Sequence, residues 1–91
     1  MKEETVSKIR KMLVHDLFVE LPEDQLGLDA GLQSAFGLDS LGFVELRLLC
    51  AQAFNITISD EDFSPDNFSS IRRLGTFIER RQTTAIITPS K

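Results

Sequence analysis

Apolar residues recur at helical spacing in three separate stretches of the chain, and no stretch shows the alternation of a half-buried strand. Val6, Ile9, Leu13 and Leu17 fall at i, i+3, i+7 and i+11, with Met12 widening the stripe. Lys2, Lys8, Arg10 and Lys11 lie off it, and Glu3 and Glu4 occupy the first turn, where the helix dipole favours negative charge. This predicts a helix over 3–19, ended at Leu21-Pro22, because the residue before proline is pushed out of helical geometry. A second helix is expected over 40–54, with Phe43, Leu46, Leu49, Cys50 and Phe54 inward and Leu41, Val44 and Leu48 forming another apolar strip. A last one, over 70–81, turns Ile71, Leu74, Phe77 and Ile78 inward; Gly75 beside them permits close helix packing. An all-α bundle follows.

Two connections need more than spacing to interpret. Residues 22–38 are too long for an ordinary structureless loop in a compact domain. Leu26, Leu28, Leu32, Phe36 and Leu38 supply anchors that would pin the segment across the bundle, with one helical turn around 30–36. After a short extended link at Asn55-Ile56-Thr57-Ile58, Ser59-Asp60-Glu61-Asp62 has the form of a capping box and predicts a brief third helix, limited by Ser64-Pro65. Residues 1–81 are read as one domain and 82–91, with three threonines and a proline, as a flexible tail.

Composition sets the class. Ninety-one residues of which 42% are hydrophobic suffice for one domain with a core. A single cysteine cannot form an internal disulfide, which fits a reducing compartment. The acidic Met1-Lys2-Glu3-Glu4 start has no apolar signal region, and no apolar run approaches the ~20 residues of a membrane span. A soluble, cytoplasmic monomer without membrane insertion is expected. Charge is segregated: residues 16–66 carry eleven acidic residues against Arg47 alone, whereas 1–15 and 67–91 are net +2 and +4. The acidic middle repels nucleic acid and favours basic protein surfaces.

The chain is poor in groups for catalysis. It has one histidine, His15, expected to face solvent, and one cysteine, Cys50, placed in the inward stripe as a structural thiol. No zinc spacing and no calcium-loop pattern occurs, so no metal site and no catalytic residue is assigned. One stretch stands out: Phe36-Gly37-Leu38-Asp39-Ser40-Leu41-Gly42-Phe43-Val44-Glu45-Leu46. Gly37 ends a loop, Asp39 caps a helix, and Ser40 presents its hydroxyl at that helix's N-terminus, within reach of a second protein.

Leu38-Asp39-Ser40-Leu41 followed by Val44-Glu45-Leu46 and Phe54 resembles the attachment motif of acyl carrier proteins, and the helix order extends the resemblance over residues 4–81. The resemblance implies an acyl-carrier-like four-helix bundle of three main helices and a short one. It implies further that Ser40 carries a covalent 4′-phosphopantetheine arm, installed from coenzyme A by a phosphopantetheinyl transferase. Such a chain is not an enzyme. It presents acyl thioesters to fatty-acid, polyketide or related biosynthetic enzymes, loaded by a ligase, transferase or synthase. Asp39, Leu41, Val44, Glu45 and Leu48 are then the partner-recognition residues. A phosphodiester at Ser40 gains from the helix dipole, and its repulsion by Asp39, about 1 kcal/mol at ~4 Å in water, is tolerable at an exposed site. The sequence departs from fatty-acid-type carriers at Gly42, Arg47, Ala51, Gln52 and Ala53, where acids are common or a positive charge is added. Docking by apolar contact and a few charges is therefore expected. Ser40-Leu41-Gly42-Phe43-Val44-Glu45-Leu46 and Phe63-Ser64-Pro65-Asp66 also look a little like aminoacyl carriers of the D-alanyl type, loaded by an adenylating ligase. An unmodified helical adaptor is the remaining alternative.

Overall fold

The structure, a computed structural model, describes the backbone of residues 1–87 and the side chains of residues 1–83. Its elements are α1 (Glu3–Lys11, prolonged by a wider turn over Met12–Asp16), a single 3-10 turn (Glu23–Gln25), α2 (Ser40–Ala53), α3 (Pro65–Phe68) and α4 (Ile71–Ile87). Among the described residues no strand forms; Gly31 and Ser70 make one isolated antiparallel bridge.

The apolar stripes pack as their spacing dictates. Ile9 and Leu13 of the first helical segment, Leu46 and Cys50 of α2, and Ile71, Leu74 and Ile78 of α4 are fully buried. Each such aliphatic side chain contributes roughly 1.5–3 kcal/mol relative to exposure. No side chain of α1's first residues caps its N-terminus. Glu79 of α4 does so from across the interface, its carboxylate accepting from the Lys2 backbone N–H at 2.6 Å. Gly75 leaves space that the Met1 side chain fills, since a Cβ there would collide with the Met1 sulfur.

Helix ends depart from expectation in three places. The first helix stops near Asp16 rather than at 19. Leu17 N–H bonds to the Met12 carbonyl (2.9 Å), Val19 N–H reaches the Leu13 carbonyl (2.8 Å), and Phe18 between them adopts a left-handed backbone, φ 60°. Burial of Val19 drives the chain to turn before Pro22 is reached. The short helix begins at Pro65, behind Ser64, instead of ending there. Ser59 and Asp62 do exchange reciprocal bonds, Ser59 N–H to Asp62 Oδ2 at 3.2 Å and Asp62 N–H to Ser59 Oγ at 3.1 Å. They close only one turn. Pro65, which lacks a donor and is pre-set to helical φ, instead occupies the first turn of α3 behind the Ser64 cap. The last helix extends to Ile87, so residues 82–87 of the expected tail are helical; residues 88–91 lie outside those described.

The long connection is ordered by its leucines and by α4. Leu26, Leu32 and Leu38 are buried, and Leu28 and Phe36 pack against the core. Residues 32–36 form the single expected turn, closed by Gly37 in left-handed geometry, φ 74°. Arg10 donates twice to the Leu26 carbonyl (3.1 and 2.9 Å), Leu32 N–H bonds to the Ser69 carbonyl (3.0 Å), and Arg72 N–H bonds to the Leu28 carbonyl (2.9 Å). The Arg72 guanidinium grips Asp29 through two bonds and holds its carboxyl below the usual carboxylate range. These ties fix where the connection delivers Asp39.

Candidate functional site

Leu38, buried at the end of the connection, locks the chain as it enters α2. Asp39 follows in extended geometry, and its Oδ1 accepts from the Gly42 N–H at 2.8 Å, while its carbonyl takes the first helical bond from Phe43 N–H at 2.9 Å. Ser40 is thereby the first helical residue and is exposed. Gly42 has a steric reason. A Cβ there would stand 2.8 Å from Leu38 Cδ1 and 3.0 Å from its Cγ, so the acid common at this place in fatty-acid carriers would displace a packed leucine.

Every residue expected to meet partners lies on the outer face of α2 or at its cap. Leu41 is 78% exposed, Val44 48% and Leu48 59%, and Asp39 and Glu45 are also exposed. Arg47 does not join them. Its guanidinium donates to the Ile58 carbonyl (2.8 Å), pairs with Asp60 (3.0 Å) and lies 5.1 Å from the Phe63 ring centre. Its charge is thus engaged in anchoring the loop between α2 and α3 rather than standing free on the outer face of α2. No signal in the sequence distinguished these two uses.

Two grooves lie at the start of α2. One, of about 550 Å³, has a floor of Phe43, Val44, Phe63, Pro65 and Phe68 and a rim that includes Ser34, Ser69 and Ser40 itself. The other, of about 320 Å³, lies between Phe18, Glu20, Phe36, Leu38, Asp39 and Gly42. Neither was legible beforehand, because each joins residues distant in sequence. His15 is exposed and sits 2.9 Å from Glu23, far in sequence from Ser40, and forms no dyad with it here. Cys50 is wholly buried, its thiol pushed up to about 12 by desolvation, with Met12 Sδ 3.9 Å away. Among the described residues no group of His, Cys, Asp or Glu is arranged to hold a metal, and no helix is long and apolar enough to cross a membrane.

The arrangement suits covalent attachment of a flexible group. A hydroxyl stands free on a rigid helix start, a phosphate there meets the positive end of the dipole, and an apolar groove with hydroxyls on its rim runs alongside. Known proteins agree with that geometry. The sequence matches the family described as "Phosphopantetheine attachment site" over residues 7–78. It is similar to the acyl carrier protein of Petrotoga mobilis, 34% identical over 61 residues, which span 67% of this chain and 69% of that one. The fold is similar to a carrier protein from Agrobacterium tumefaciens solved with an engineered Bradyrhizobium japonicum glycine:[carrier protein] ligase and ATP. That match has a TM-score of 0.73 and 28% identity, over 84% of this chain and 97% of the other. The all-α bundle, the exposed serine at the start of α2 and the match over residues 7–78 lead to one assignment: the chain belongs to the acyl carrier family, whose prosthetic group is covalent 4′-phosphopantetheine.

Proposed function

We propose that Ser40 is the attachment residue and that the chain carries acyl groups between the enzymes that load and process them. The observation that carries this is the placement of Ser40: exposed, first in α2, and held there by the bond that Gly42 N–H donates to Asp39 Oδ1. When bound, the arm supplies a terminal thiol on which cargo is held as a thioester. The chain's own residues anchor and present it. Asp39 fixes the first turn, Leu38 and Gly42 keep that turn seated on the core, and Phe43, Val44, Phe63 and Phe68 offer an apolar bed beside the anchor. Leu41, Val44 and Leu48, with Glu45 and Asp39 as the charges, form the surface that partners read. Activation of the Ser40 hydroxyl belongs to the transferase. Within the chain, His15 pairs with Glu23, and Asp39 Oδ1 accepts from the Gly42 N–H as the cap.

Incubation with coenzyme A and a broad-range phosphopantetheinyl transferase tests the anchor. Intact mass rises by one phosphopantetheine, and Ser40→Ala abolishes the rise while leaving helical circular dichroism intact; an unchanged mass in the wild-type chain contradicts the assignment. A second reading, an aminoacyl carrier, is favoured by the likeness to a carrier solved with a glycine ligase. Offering the holo chain ATP with glycine and a glycine:carrier ligase, or ATP with a fatty acid and an acyl ligase, separates the two. Acylation alone supports the main reading, and glycylation alone replaces it with the second.

A further inference from the structure

Three described residues hold a left-handed backbone: Gly37 (φ 74°), Asn55 (φ 54°) and Phe18 (φ 60°). Two are of the types that tolerate it. Gly37 has no Cβ to clash, and Asn55 ends α2 as asparagine commonly does, with Ile56 N–H bonded back to the Ala51 carbonyl at 3.1 Å. Phe18 does the same work at the end of the first helix with a side chain that this geometry disfavours. Packing does not explain it. Phe18 is 78% exposed, level with Leu41 as the most exposed large apolar residue, and lies outside the core cluster.

Position gives the aromatic ring a use. Phe18 lines the smaller groove with Asp39 and Gly42, the residue before Ser40 and the third residue of α2. Glu20 lies in the same groove and is exposed, as is Asp39, so the ring stands in an acidic surround. Enzymes that act on cargo react at the far end of the arm and need not reach the Ser40 hydroxyl itself. The transferase must: the Ser40 Oγ–P bond forms, the pyrophosphate P–O bond of coenzyme A breaks, adenosine 3′,5′-bisphosphate leaves, and the hydroxyl proton passes to a base of the transferase. An interface of ordinary size covers about 800 Å² per partner. One centred on Ser40 takes in the groove that Asp39 shares with Phe18.

Resting on the assignment of Ser40, we propose that Phe18 is a docking residue for the phosphopantetheinyl transferase, inserting its ring into an apolar socket rimmed by basic side chains. A disfavoured backbone held by an exposed aromatic is the signature of a residue kept for contact rather than for stability. The test uses the full chain, coenzyme A and a phosphopantetheinyl transferase from the same organism. Phe18→Gly and Phe18→Asn, both suited to left-handed geometry, keep or raise Tm, while KM for the carrier rises about tenfold or more with kcat little changed. Phe18→Tyr keeps KM near the wild-type value, and calorimetric affinity for the transferase follows KM. Unchanged KM and affinity in both Gly and Asn variants overturn the proposal and leave Ser40 untouched. So does a defect confined to a cargo-loading ligase, or loss of self-association with modification unaltered, since these assign the ring to another occupant. Absence of modification in the wild-type chain removes both assignments, and Ser40→Ala controls for that case.

Discussion

Asp39 holds the site by one hydrogen bond, and a cap of this kind is worth about 1 kcal/mol. Asp39→Ala is expected to lower Tm by about 4–8 °C, the shift that 1 kcal/mol produces in a domain of this size, measured by calorimetry on the unmodified chain. Cys50 makes a prediction at the other extreme of pH. Its folded value of about 12 lies above the ordinary 9.0, so its contribution is complete below about pH 9 and is lost as pH rises toward 12. The loss amounts to about 1.4 kcal/mol per pH unit in that window. Urea unfolding between pH 8 and 10.5 should show this slope in the wild-type chain and a shallower one in Cys50→Ala. In the native chain at pH 8 the thiol should also resist a disulfide reagent until denaturant is added. Cys50's burial was readable from its place between Leu46 and Phe54, and Ser40's exposure from the Gly-Leu-Asp-Ser order. The tether on Arg47 was not, since Ile58, Asp60 and Phe63 reach it only through a fold of the chain.

Helices form where periodicity places them, and their ends are settled by contacts between elements. Glu79 shows the difference. The Lys2 backbone N–H is the first cause of its lowered carboxyl pKa; burial opposes this, and Thr5, the terminal amine and Lys2 add to it. A depressed carboxyl contributes stability that is complete above its ordinary 4.5 and is lost as pH falls through the folded value. Tm of the wild-type chain should therefore fall between pH 5 and 3, and Glu79→Gln should show a smaller fall from a lower starting Tm. Asp62 behaves alike in direction: burial raises its pKa, but the Ser59 N–H and hydroxyl and the Arg81 charge together bring it below the ordinary value. The capping box that defines Ser59 and Asp62 was visible in sequence. What was not visible is that one turn satisfies it, because Arg81 of α4, 2.7 Å from Asp62, holds that turn while Ser64 and Pro65 begin the helix afresh.

The whole molecule separates a packed half from an exposed helix face. α1 and α4 pack together, and the long connection is bound to both by Arg10 and Arg72. The outer face of α2, the surface proposed for partners, stays exposed, with three apolar side chains and two acids. With so few exposed charges, and each surface pair worth at most about 1 kcal/mol, the affinity of a partner enzyme should change by no more than about fivefold between 50 and 300 mM salt. A loss of two orders of magnitude in a binding titration would show that charge dominates the contact.

By itself the sequence determined the three main helices, their inward faces, the capped serine and the leucine anchors of the long connection, because these follow from residue spacing within about four positions. Only the tertiary structure decided where each helix stops, which acid caps α1, what Arg47 does, and that Phe63 shares a groove with Ser40 while Phe18 shares one with Asp39. Those depend on contacts between residues tens of positions apart, where no local propensity reaches.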